Sequence, residues 1–382
     1  MAFRVLNVAS IGSSFPGLLG KQYLTFKKKE YEFHFVASPS DILYEYSKSV
    51  NGKAKGIEIT RSINPFKDLL AIFKLSFYIF KNRFQVVVGH TPKGALLSML
   101  SSWLMRVPKR VYFRHGLVYE TMTGFSRKIM ILVEKLTAFC ATDIICVSSS
   151  LCEKSLKDKL NKSNKQYLLG KGTCGGIDAK TKFNPKNLKL EIRNQIKEQI
   201  GISDQTFVVG FCGRLVRDKG VIELIDGFQK FVEQYTQNKF VLLIMGPIEE
   251  RDSLPKATVE SIHNNKNIHY AGSILENIEY YYSLMDVFVL PSYREGFGLV
   301  NIEAAAMEIP VLTTKNTGCI DSIVEGVTGA YIDLSRNGIF EGIETVFLNG
   351  QRKQLGLNGR QMVLENFDNS TLWPIIENVL YS

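Results

Sequence analysis

Residues 287–306 constrain the fold more than any other stretch. Val287 to Leu290 is an unbroken apolar run, short enough for a strand covered on both faces, and Pro291 and Ser292 end it. Gly296 and Gly298 follow, and then Leu299, Val300, Ile302, three alanines and Met307 give a helical composition. A buried strand that passes through a glycine turn into a helix is the repeating unit of an open parallel sheet. Free amides and the dipole at such a helix start favour an anion, and phosphate is the natural guess. Glu295 on the loop and Glu303 on the first helical turns flank this spot. Beside phosphate they would repel the ligand unless they face uncharged, hydroxyl-bearing parts, as a sugar nucleotide offers. The alternative is that Glu295 caps the helix start and Glu303 is solvated surface.

The same unit recurs along the chain. Phe3 to Ala9 reads as a strand, followed by the Gly12–Gly17 loop and a helical stretch toward Lys29. Further strands are expected at Phe33–Ala37, Ile57–Ile59, Val86–Gly89, Arg110–Phe113 and Asp143–Val147, and a second set at Phe207–Gly213, Phe240–Met245 and Ile268–Ser273. Helical segments alternate with them, so the fold class is α/β with doubly wound sheets. A chain of 382 residues is too long for one ordinary core. Two domains are expected, residues 1–183 and 184–369, with a last helix over 370–382 returning to the first. The Gly12–Gly17 spacing is not GxGxxG, which disfavours a dinucleotide site.

Charge divides the halves. Residues 1–180 hold 28 Lys and Arg against 12 Asp and Glu, and residues 181–382 hold 19 against 25, within a total of +10. The basic half implies an anionic partner: a membrane surface, a lipid diphosphate or nucleic acid. The helix expected over Pro65–Arg83 sets Phe66, Leu69, Leu70, Phe73, Phe77 and Phe80 among Lys67, Lys74, Lys81 and Arg83. It reads either as a core-facing helix or as a basic amphipathic face for a membrane. No RNP-like or helix-turn-helix signature accompanies the charge, so nucleic acid is not expected. The six cysteines show no CxxC spacing and read as free thiols. The Met1 end passes straight into a strand without a leader pattern, and no apolar run reaches spanning length. A cytoplasmic protein, peripheral on the inner membrane face, is the expectation.

Three more motifs sit at strand ends. His90-Thr91-Pro92-Lys93-Gly94 and Arg114-His115-Gly116-Leu117 follow strands of the first half, and Gly213-Arg214 with Lys219-Gly220 brackets a turn of the second. Two cations at such a turn can clamp a diphosphate, Arg by its planar fork and Lys as a point charge.

Together with the Glu295-x7-Glu303 loop, Pro310-Val311-Leu312-Thr313 and Gly318, these pieces resemble the retaining family 4 glycosyltransferases of the GT-B fold. The HTPKG and YFRHGL segments are similar to the subgroup that extends bacterial lipid-linked oligosaccharides and capsular chains. The resemblance implies two Rossmann-like domains facing across a cleft, a nucleotide-sugar donor (UDP favoured) and a glycan or lipid-diphosphate-linked acceptor. It implies retention of configuration in the transferred sugar. In it Arg214 and Lys219 neutralise the departing diphosphate, aided by the Gly298, Leu299 and Val300 amides beside Gly296 and Phe297. Glu295 orients sugar hydroxyls, Glu303 the ribose, and His115 lies beside the donor sugar. Gly272, Ser273 and Ile274 contact the base, Gly12 to Gly17 close over the donor, and Lys93 and Arg114 meet the acceptor diphosphate. Gly175 stands where the family has Asn. No Asp-x-Asp occurs, so neither a metal nor another cofactor is expected. Two rivals remain: a sugar-nucleotide epimerase of related fold and a basic nucleic-acid binder.

Overall fold

The computed structural model describes residues 2–60, 62, 64–250 and 252–381. Ser382, the end of the expected returning helix, lies outside them. In chain order the elements are β1 Phe3–Ile11, α1 Ser14–Leu19, β2 Tyr31–Ser38, α2 Asp41–Ser49, β3 Lys53–Gly56, α3 Pro65–Asn82, β4 Val86–Gly89, α4 Pro92–Leu104, β5 Lys109–Arg114, α5 Gly124–Cys140, β6 Asp143–Cys146, α6 Ser149–Lys157 and β7 Gln166–Leu168. They continue with α7 Leu190–Ile200, β8 Thr206–Cys212, α8 Val221–Gln234, β9 Lys239–Met245, α9 Lys256–Asn264, β10 Ile268–Gly272, α10 Ile278–Tyr282, β11 Val287–Leu290, α11 Leu299–Ala306, β12 Val311–Thr313, β13 Gly329–Tyr331, α12 Arg336–Leu348, α13 Arg352–Asn366 and α14 Asn369–Tyr381.

The chain forms two compact units, 1–176 with 369–382, and 177–368. Each is built on one parallel sheet, ordered β3-β2-β1-β4-β5-β6-β7 in the first and β10-β9-β8-β11-β12-β13 in the second. The order reverses between β1 and β4, and again between β8 and β11. These are the switch points where doubly wound sheets leave a crevice at their carboxyl ends. Their central strands are the continuous apolar runs of the sequence: β4 and β11 are buried at every position. Residues 177–183 are tied into the second unit: Ile177 N–H donates to Phe367 O at 3.0 Å, and Arg360 reaches the Phe183 carbonyl at 2.9 Å. Helix α14 packs in the first unit, where Trp373 Nε1 donates to Gly175 O at 2.8 Å and Tyr381 packs tilted or edge-on among Phe26, Tyr31 and Phe33.

Three expectations are corrected. The third strand is Lys53–Gly56, not Ile57–Ile59; Ile57 N–H makes a last bond to Ala37 O at 2.9 Å, and the two isoleucines are buried where the chain leaves the sheet edge. The segment after Gly12 is a six-residue helix and a short 3₁₀ turn, Gln22–Leu24, with no helix running to Lys29. The core-facing reading of α3 fails. Its buried stripe is Ala71, Leu75 and Ile79, while Phe66, Phe73 and Phe80 are 88%, 71% and 71% exposed. Small and branched residues four apart suffice to seat the helix on the sheet, which leaves the bulky rings on the outer side.

Candidate active site

In the second unit, the loops following β8 and β11 are locked together at the switch point. Gly220 has φ +67°, and a side chain there would bring its Cβ within 1.9 Å of the Pro291 carbonyl oxygen, so only glycine lets the loops touch. Asp218 O then accepts the Tyr293 N–H at 2.9 Å and the Ser292 hydroxyl at 3.1 Å, and Arg294 pairs with the Asp218 carboxylate at 2.7 Å. Lys219, at the end of a single 3₁₀ turn Arg217–Lys219, is thereby carried onto Glu295, and the two form an ion pair. Behind Glu295, Gly318 lies so close that a Cβ would sit 2.5 Å from the Glu295 carbonyl oxygen. The Glu295 N–H donates to Thr317 O at 3.1 Å.

Helix α11 opens directly beyond this pair. Gly298 precedes it in a left-handed conformation, and no side chain caps the Leu299 and Val300 turn. Phe297 is buried against Phe367 with ring centroids 5.0 Å apart, which fixes the loop, and Gly296 bridges it to Glu295. Asn301, fully buried, donates to the Ser322 hydroxyl at 2.8 Å and pins the first turn. One turn later Glu303 is half-buried and accepts from the Tyr282 hydroxyl at 2.8 Å. Burial pushes its carboxyl up to about 7, with Tyr282 and Lys182 opposing.

The remaining residues of this edge are placed separately. Arg214 pairs with Glu249 at 3.0 Å rather than with the Lys219–Glu295 pair. Gly272, which ends β10, accepts from Gly246 N–H at 2.7 Å, with Ser273 exposed and Ile274 half-exposed beyond it.

At the first unit's edge, the corner formed by His90 and His115 is neutral. His90, buried at the end of β4, approaches His115 with Nδ1 to Nε2 at 3.1 Å and Asn7 Oδ1 through Nε2 at 3.2 Å. Tyr23 donates to the same Asn7 oxygen at 2.9 Å. An amide oxygen accepts, so His90 carries its proton on Nε2 and His115 donates through Nε2, leaving the His115 Nδ1 lone pair free to accept. Burial keeps both rings neutral, and it pushes His115 down to about 3. His115 also lies flat on Phe113, centroids 5.0 Å apart. This chain of four groups was not expected from the sequence; the signal was Asn7, an amide inside an otherwise apolar strand.

Of the two acceptor-side cations, Arg114 is corrected. Arg114 is fully buried: its charge is balanced by Glu134 at 3.3 Å and held by Asn161 at 2.8 Å, so it does not face an acceptor. Lys93 is drawn inward by Asp68 at 2.6 Å and the Thr60 hydroxyl at 3.0 Å. Strand-end positions look alike in sequence, and only partners elsewhere in the chain decide which way a cation turns. Gly12 fits under Ser40 and Leu43 with no room for a Cβ, while Gly17 lies exposed within α1.

The two parallel sheets, each with its switch point and carboxyl-edge loops, are those of the GT-B fold, and comparison with known proteins agrees. Residues 192–362 match the family model of glycosyl transferases group 1, and residues 8–148 match that of glycosyl transferase 4-like proteins. The chain is 34% identical over 378 residues, 98% of its length and 96% of the relative's, to the capsular polysaccharide biosynthesis glycosyltransferase CapM of Staphylococcus aureus. It is 25% identical over 263 residues, 68% and 65% of the two chains, to an Escherichia coli UDP-Gal:alpha-D-GlcNAc-diphosphoundecaprenol alpha-1,3-galactosyltransferase. Among solved structures, Anabaena HepE in complex with UDP and glucose superposes over 100% of both chains with TM-score 0.80 at 16% identity, a likeness of fold. The chain belongs to the family 4-like, group 1 glycosyltransferases and is a glycosyltransferase.

Proposed function

We propose that the chain transfers a hexosyl group, with retention, from a UDP-sugar to a hydroxyl of a polyprenyl-diphosphate-linked glycan during cell-surface polysaccharide assembly. The Lys219–Glu295 pair at the opening of α11 carries this reading. Lys219 and the first-turn amides supply positive charge where a β-phosphate would gather negative charge as the anomeric C–O bond breaks. That lowers the transition state without bond-making by the protein. Glu295 accepts hydrogen bonds from the sugar's hydroxyls and Glu303 from the ribose, so both carboxylates meet neutral parts of the donor. The acceptor oxygen attacks from the face the diphosphate leaves, and its proton passes to the departing phosphate oxygen. His115 is assigned to the transferred sugar, its free Nδ1 accepting from a hydroxyl. Arg214 joins the diphosphate clamp by exchanging Glu249 for phosphate oxygens, and Gly272 to Ile274 take the base.

The UDP donor, the lipid-linked acceptor and the place at a membrane surface follow the relatives' printed activities and the basic first half. Metal independence follows the absence of Asp-x-Asp in the sequence. The deciding experiment is a thermal-shift and turnover screen against UDP-, GDP- and ADP-sugars, run with and without EDTA. Stabilisation by UDP-sugars, retained transfer in EDTA and an unchanged anomeric configuration by NMR are expected. Conversion of the nucleotide sugar without an acceptor would favour an epimerase, and a strict Mn2+ requirement would reject the clamp as described.

A further inference from the structure

The first unit carries a surface that a soluble protein would ordinarily cover. Helices α3, α4 and α5 lie side by side on its sheet: Ser101 of α4 reaches the Ile72 carbonyl of α3 at 3.4 Å, and Trp103 of α4 meets Phe139 of α5 with centroids 6.3 Å apart. On α3, Phe66, Leu69, Phe73, Phe77 and Phe80 face outward. Trp103 and Leu104 end α4 exposed, and α5 adds Phe125, Leu132, Leu136 and Phe139. Exposed apolar patches of more than a few hundred Å² are uncommon on monomers and mark places where something binds.

Charge identifies the partner. Among the described residues of these helices, the exposed charged positions are all cationic: Lys67, Lys74 and Lys81 on α3, Lys128 and Lys135 on α5. Their acidic residues are turned inward or paired, Asp68 with Lys93 at 2.6 Å and Glu134 with Arg114 at 3.3 Å. Glu58, in the loop before α3, is the nearby exception and pairs with Lys67 at 2.7 Å. A second copy of this face would set cations against cations. Bulky rings interleaved with lysine match the boundary of an anionic bilayer, where rings enter the acyl edge and ammonium groups stay among headgroups. Each basic residue there is worth about a fivefold gain in partitioning. No described helix is long and apolar enough to cross a membrane.

We infer that the α3–α4–α5 face is the docking surface of this protein on an anionic lipid bilayer, with the helices lying in the interface. The inference rests on the reading of a membrane-held acceptor and names the surface that brings the enzyme to it.

Flotation of the full chain with phosphatidylglycerol–phosphatidylcholine vesicles, against phosphatidylcholine alone, tests it. Binding to the anionic vesicles is expected, with tryptophan emission quenched by brominated lipid in wild type and the remaining Trp373 emission unquenched in W103F. The double variant F73S/F77S should bind at least tenfold more weakly, as should K74E/K81E. All four positions are solvent-facing, so melting should not move. Turnover with a detergent-solubilised or short-chain acceptor should also hold, which separates loss of docking from loss of the proposed chemistry. The inference falls if anionic vesicles are not bound, if both variants float like wild type, or if Trp103 is buried in a stable dimer. Flotation without UDP-sugar binding would instead sink the proposed function and leave the docking face standing.

Discussion

Among the cation–carboxylate pairs at the carboxyl edges, Arg114–Glu134 of the first sheet and Lys219–Glu295 of the second differ in depth. Arg114 and Glu134 have side-chain exposures of 0% and 3%, against 12% and 17% for Lys219 and Glu295. Arg114 ends a central strand and turns inward, where burial works against its charge but Tyr112 and Glu134 outweigh that and raise its pKa. Lys219 stands on a loop and keeps one side open. The buried pair is a strut with no room to change partners, whereas under the proposed function the shallower one would release its carboxylate to sugar hydroxyls while its cation took a phosphate. Equal topology therefore does not give equal chemistry; what matters is whether the second partner can be exchanged.

The largest effect expected from breaking this contrast is on the strut. Arg114→Met leaves Glu134 buried without its countercharge, and chemical denaturation should show a loss of about 3–5 kcal/mol, much of it recovered in the double variant with Glu134→Leu. Lys219→Ala should do the opposite. Turnover falls about 10²–10³-fold, as for removal of one transition-state donor, while the melting transition stays close to wild type. A fully active variant would remove the diphosphate role.

Smaller effects sharpen the contrast between the neutral histidine corner and the charged pair. His90→Leu removes the acceptor that fixes the His115 tautomer, and steady-state kinetics should show about a tenfold drop in kcat with the donor KM unchanged. The pH dependence of Glu303 is smaller still. Its folded-state pKa of about 7 lies above the ordinary 4.5, so the fold holds the proton more tightly and loses stability as pH rises between those values. Melting curves of Glu303→Gln and wild type should coincide near the lower value, with the variant progressively the more stable toward and above the upper one. Wild-type donor binding should strengthen over the same rise, because the carboxylate is the form that accepts from ribose hydroxyls.

Much of the fold was legible in the chain. Apolar runs such as Val86–Gly89 and Val287–Leu290 coincide with β4 and β11, because a strand covered on both faces must be apolar throughout. The loop glycines and the spacing of Lys219, Glu295 and Glu303 marked the second unit's edge, since close backbone approach and helix-start chemistry are local demands. The strand at Lys53–Gly56 was not legible: an edge strand is held by backbone bonds on one side and needs no apolar pattern.

Local residue order thus settled most of the strands and helices, the central ones above all, for backbone conformation and burial period are written in neighbours. Only the folded chain decided which groups spend their charge on each other. Arg114 finding Glu134 twenty residues away, Arg214 finding Glu249, and the rings of α3 facing outward all depend on partners distant in sequence. Electrostatic pairing and packing act through space, and no local pattern records them.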